Sequence, residues 1–106
     1  MANVISQTLI DLASEEQKRA EETYGGFQSE HEMYAVLLEE VQETDEESGM
    51  VVENLEKLWD SIRNKENSEH LEELVIEIQD GALKTALNAL QVVGVCNLAK
   101  QYLSEA

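Results

Sequence analysis

Residues 70–93 read HLEELVIEIQDGALKTALNALQVV, and this stretch decides the fold class. Turned about 100° per residue as a helix, its Leu, Val, Ile and Ala positions, from Leu71 through Leu83 to Val93, cover most of the circumference. A helix apolar nearly all round is expected to be buried. One narrow stripe is polar: Glu73, Glu77, Asp80, Lys84, Asn88 and Gln91 recur on one line, three or four residues apart. On a central helix that line faces another helix or a cleft, where carboxylates must be paired or bind a cation.

Working outward, Gly94 is expected to kink or end this helix, with Leu98, Tyr102 and Leu103 marking one more helical stretch. On its other side, Asn64 to Ser68 reads as a polar turn. Asn67 or Ser68 can cap a helix that starts near Glu69 and continues at least to Val92. Val51, Val52, Leu55, Leu58, Trp59 and Ile62 recur at helical spacing and give a segment ending near Asn64. Ser48-Gly49 separates it from a helix over about Glu30 to Glu47, opened by the capping-box pair Ser29 and Glu32. Tyr24-Gly25-Gly26-Phe27 breaks the chain before that, and the first helix covers about Asn3 to Thr23. There is no sustained strand alternation, no tandem repeat and no linker. The expectation is a single all-α domain over residues 1–106, a helical bundle of four to five helices. A chain this short buries only part of its apolar surface, so a second copy is expected to complete the bundle.

The 106 residues carry 23 acids against 7 Lys and Arg, a formal net charge of −16. Such a surface repels nucleic-acid phosphates, which argues against a nucleic-acid partner. It also repels a free nucleotide unless a cation mediates, so phosphate chemistry here would need a metal. The single cysteine, Cys96, cannot form an intrachain disulfide and sits in an apolar run, where a buried inert thiol is expected. The first residues lack the basic start and long apolar run of a signal peptide. No stretch reads as long and apolar enough to cross a membrane. A cytoplasmic location without a membrane partner is the expectation.

The acids of residues 30–47 divide by face. Met33, Tyr34, Val36, Leu37, Leu38 and Val41 form an apolar arc; Glu40 falls inside it and Glu43 at its edge, while Glu32, Glu39 and Glu46 point away. Two i, i+3 carboxylate pairs result, Glu40 with Glu43 and Glu77 with Asp80. If their helices pack antiparallel, the four can converge. Two bare carboxylates about 4 Å apart repel by roughly 4 kcal/mol at an effective dielectric near 20. Hard oxygen ligands without His or Cys suit magnesium or manganese. The plainer reading is that an acidic helical chain holds many such pairs by chance.

Leu37-Leu38-Glu39-Glu40-Val41-Gln42-Glu43 resembles the EExxE motif of the all-α nucleoside triphosphate pyrophosphohydrolases, the MazG-like group. Glu77-Ile78-Gln79-Asp80 resembles that family's ExxD motif. Residues 26–36, GFQSEHEMYAV, are similar to a segment of small phage and prophage members. The likeness runs from about Ile5 to about Leu90, with a longer gap between Glu43 and Glu77 than in the most compact members. It implies magnesium-dependent hydrolysis of a ribo- or deoxynucleoside triphosphate to a monophosphate and pyrophosphate, with manganese as a substitute metal. Glu40, Glu43, Glu77 and Asp80 would be metal ligands, and Glu39 a group behind them or the base that orients water. It also implies a homo-oligomer, dimer or tetramer, with the site between packed helices.

Lys84, one turn beyond Asp80, can meet a phosphate or simply pair with Asp80. Asn88 can bind sugar, base or phosphate, or satisfy a helix contact. Tyr24, Phe27 and Trp59 can stack on a base, but each reads more readily as core, Trp59 above all. His31 and His70 read as exposed helix-start residues. Two other classes compete: a non-catalytic acidic helical protein that binds a basic partner or a nucleotide, and a di-iron helical protein. The second lacks its Glu-x-x-His pairs, since Gln28 and Asn67 stand three positions before the two histidines.

Overall fold

The computed structural model describes residues 2–105, and side-chain surroundings from Val4 onward. It is all-α: α1 spans Ala2–Tyr24, α2 Glu30–Arg63 and α3 Ser68–Glu105. Among the described residues, three helices replace the four to five expected, because two expected breaks do not occur. α2 runs through Ser48-Gly49 and α3 runs through Gly94. A glycine inside a helix costs about 1 kcal/mol relative to alanine, too little to interrupt a long helix with good formers on both sides and no proline.

The true ends carry specific chemistry. α1 stops where Gly25 adopts φ 76°, and the Gly25 N–H donates to the Glu21 carbonyl at 2.8 Å, a left-handed glycine cap. Ser29 Oγ accepts from the Glu32 N–H at 3.1 Å to open α2, while the Glu32 carboxylate accepts from the Gln28 N–H at 3.4 Å. The capping box thus reaches one residue further back than its usual form. At the end of α2, the Lys65 N–H donates to Ile62 O and the Glu66 N–H to Ser61 O, both at 3.1 Å. With Lys65 at φ 55° this is a Schellman motif, built on a lysine where glycine is usual. Asn67 Oδ1 then accepts from the His70 N–H at 2.8 Å and caps α3.

The chain falls into two compact units. The first comprises residues 2–42 and 88–105. Its core is Ala20, Phe27, Val36, Val95, Leu98 and Ala99, with Tyr24, Met33, Leu37 and Tyr102 packed against it. Phe27 and Tyr102 meet edge to face, centroids 6.0 Å apart. α1 approaches α3 closely because Gly94 has no side chain: a Cβ there would lie 2.8 Å from Gln17 N and 2.9 Å from the Glu16 carbonyl carbon. The glycine expected to bend α3 serves helix–helix contact instead.

The second unit, residues 43–87, is a helical hairpin of the remaining turns of α2 and the first turns of α3. Gly81 faces Val51, whose Cγ2 would lie 2.9 Å from an added Cβ. Little of this unit is buried beyond Ser61 and Leu74. The expectation that α3 is buried all round fails here: Val75, Ile76, Leu83 and Leu87 are exposed, Leu83 at 67%. A hairpin covers one side of α3 and cannot surround it. Trp59, expected in the core, is 59% exposed on the same grounds, with the Arg63 guanidinium 5.8 Å from its ring centroid. Cys96 is half-buried rather than buried. By length and composition α3 also meets the requirement for crossing a membrane, with a mean hydropathy of 1.2 over its most apolar window, contrary to the reading of the sequence. Between Gly81 and Ala99 its only charged residue is Lys84.

Candidate functional site

Val36 is buried on the first unit's side of α2, and Glu40, one turn further, shares its face. Val36, with Met33 and Leu37 packed against the same core, carries Glu40 under with it, and only 9% of the residue is exposed, while Tyr34, Leu38 and Val41 of the expected arc stay exposed. The Tyr24 hydroxyl, from the last turn of α1, donates to Glu40 Oε1 at 3.3 Å. A small cavity of about 50 Å³ lies here, lined among others by Glu16, Arg19, Tyr24, Glu40 and Gln91. Arg19 pairs with Glu16 at 2.7 Å, so the cavity wall includes a cation beside two carboxylate-bearing residues. A buried carboxylate needs such polar company.

The remaining acids stand elsewhere. Glu39, Glu43, Glu77 and Asp80 are exposed on their helices. Asp80 forms a salt bridge to Lys84 at 3.2 Å, both side chains well exposed, the pairing that the i, i+4 spacing allows. Asn88 is half-buried. Among the described residues, no three His, Cys, Asp or Glu side chains come together as a group that could hold a metal ion. Water solvates separated carboxylates far better than the protein can accommodate them clustered.

His31 behaves as read, while His70 is half-buried. His31 is exposed, and His70 lies 3.7 Å from both Glu66 and Glu73 on the surface of α3. Glu16 and Arg19 were not singled out from the sequence. The signal that locates them is the spacing of Ala13 and Ala20, two buried small residues seven apart, which marks the face of α1 turned inward; Glu16 and Arg19 flank it. No known protein family, curated protein or solved structure matches the chain.

Proposed function

We propose that the protein hydrolyses a nucleoside triphosphate to a monophosphate and pyrophosphate, with magnesium as cofactor, as a homo-oligomer. The observation that carries this reading is the burial of Glu40, the second acid of the EExxE-like motif, against Tyr24. Glu40 is one acid here that solubility does not explain, since it is turned away from water at a cost.

Among the described residues of a single chain, no group of three or more His, Cys, Asp or Glu side chains is placed to hold a metal ion. The assembled protein is therefore the proposed active form. Met50, Val52, Leu55, Ile62, Val75 and Leu83 are apolar and exposed, on the helices that carry Glu43, Glu77 and Asp80. Exposed apolar side chains in this number favour an interface, and the occupant proposed is a second copy of the chain, in a dimer or tetramer. In that assembly Glu40, Glu43, Glu77 and Asp80 are the proposed ligands. Glu39 is proposed to orient the attacking water, and Lys84 and Asn88 to meet the phosphates and sugar. The net charge of −16 disfavours both a nucleic acid and an anionic lipid surface as the cover. The proposed location is the cytoplasm, where nucleotide substrates are found.

The alternative is a non-catalytic acidic helical protein that binds a basic partner or a nucleotide. The exposure of Glu39, Glu43, Glu77 and Asp80 favours it. Pyrophosphate release from a panel of ribo- and deoxynucleoside triphosphates, with magnesium, manganese or chelator, separates the two. Metal-dependent release from any nucleotide upholds the hydrolase; no release from folded, oligomeric protein leaves the interaction protein.

A further inference from the structure

A larger cavity, about 310 Å³, lies in the first unit beside the Gly25-Gly26 turn, where the end of α1 meets the last turns of α3. Tyr24, Phe27 and Tyr102 line it, three of the five aromatic residues in the chain, together with Glu21 and Glu105. Its volume is at the small end of ligand pockets.

The electrostatics of this cavity have one sign. No basic side chain is among its lining residues. Neither Glu21 nor Glu105 forms a salt bridge among the described residues. The C-terminal end of α1, with its partial negative charge, lies at this turn, and its last turn holds no basic residue. An anion is repelled here, so a nucleotide phosphate is a poor occupant. A bare metal ion needs several converging oxygen ligands, and no such group is present among the described residues. A neutral apolar molecule would meet the rings but gain nothing from the two carboxylates. An organic cation uses both, since aromatic rings attract ammonium groups through their quadrupoles.

We propose that this cavity binds an organic ammonium group, held by the rings of Tyr24, Phe27 and Tyr102 and by the carboxylates of Glu21 and Glu105. The site shares Tyr24 with Glu40 but uses its ring rather than its hydroxyl, and the proposal stands whether or not nucleotides are turned over.

The test is a titration of the ¹⁵N-labelled full chain by NMR with tetramethylammonium chloride, compared with sodium chloride and with tert-butanol as the neutral isostere. Saturable shifts at Gly25, Gly26 and Gln101 with tetramethylammonium alone are expected. The double substitution Glu21→Gln, Glu105→Gln, which alters only exposed residues, should weaken binding about threefold or more. Tyr102→Leu should weaken it by about two- to fivefold. Spermidine and N-acetyl-lysine amide, titrated alongside, distinguish a free polyamine from a lysyl side chain as the source of the group. Absence of shifts overturns the proposal. So do equal shifts with sodium, equal shifts with tert-butanol, or unchanged affinity in the double variant.

Discussion

The Tyr24 hydroxyl donates to Glu40 Oε1 at 3.3 Å across 16 positions of sequence, tying the last turn of α1 to the face of α2 that carries the EExxE-like motif. Tyr24→Phe removes this bond and leaves the ring. The distance is long for a hydrogen bond to a carboxylate, so the expected loss is about 1 kcal/mol, read as a lower urea midpoint with an unchanged slope. Glu40→Gln keeps the shape and removes the charge. Its helical circular dichroism should match the parent while metal-dependent pyrophosphate release disappears; retained turnover in this variant would sink the proposed role of Glu40.

Two glycines give opposite predictions for one substitution. A Cβ at Gly94 would press on backbone atoms of Gln17 and Glu16 at 2.8 and 2.9 Å, and backbone cannot rotate away. Gly94→Ala should destabilise by about 1–3 kcal/mol. At Gly49 an added Cβ meets nothing within 4 Å, so Gly49→Ala should stabilise by about 0.5–1 kcal/mol through helix propensity. Thermal or urea unfolding of the two variants should move in opposite directions.

The turn between α2 and α3 stores strain at Lys65, held at φ 55°. Left-handed geometry costs a residue with a Cβ about 1–2 kcal/mol. Lys65→Gly should therefore stabilise, by about 0.5–1 kcal/mol once the extra freedom of glycine in the unfolded chain is offset. Two residues on, Asn67→Ala removes the cap on the His70 N–H and should cost about 1 kcal/mol. Amide hydrogen exchange at His70 and Leu71 should accelerate in the alanine variant.

Leu83 reads out self-association. In an isolated chain a residue 67% exposed tolerates substitution within about 0.5 kcal/mol. If a second copy covers it, Leu83→Glu buries a charge at the interface and should convert the oligomer to a chain of 11.9 kDa, measured by light scattering after gel filtration. A parent that is monomeric at every concentration contradicts the proposed assembly.

Local signals in the sequence were legible where their physics is local. Ser29, Gly25 and Asn67 end or begin helices through bonds spanning three or four residues. The inward position of Glu40 followed from its place between Val36 and Met33, because one helix fixes which side chains share a face. By the same means the sequence determined the all-α class. It could not show whether Gly49 and Gly94 interrupt their helices, since a glycine weakens a helix by only about 1 kcal/mol and neighbouring turns outweigh it.

Tertiary structure decided what each face meets. The apolar girth of α3 was plain in residues 70–93, but burial needs partners on every side, and the hairpin of residues 43–87 supplies one side only. Hence Leu83 and Trp59 are exposed despite their chemistry. The two carboxylate pairs were likewise visible as spacings along α2 and α3. Spacing within a helix fixes the angle between neighbouring side chains, while convergence depends on the distance between helices, and like charges resist closing that distance unless a cation compensates.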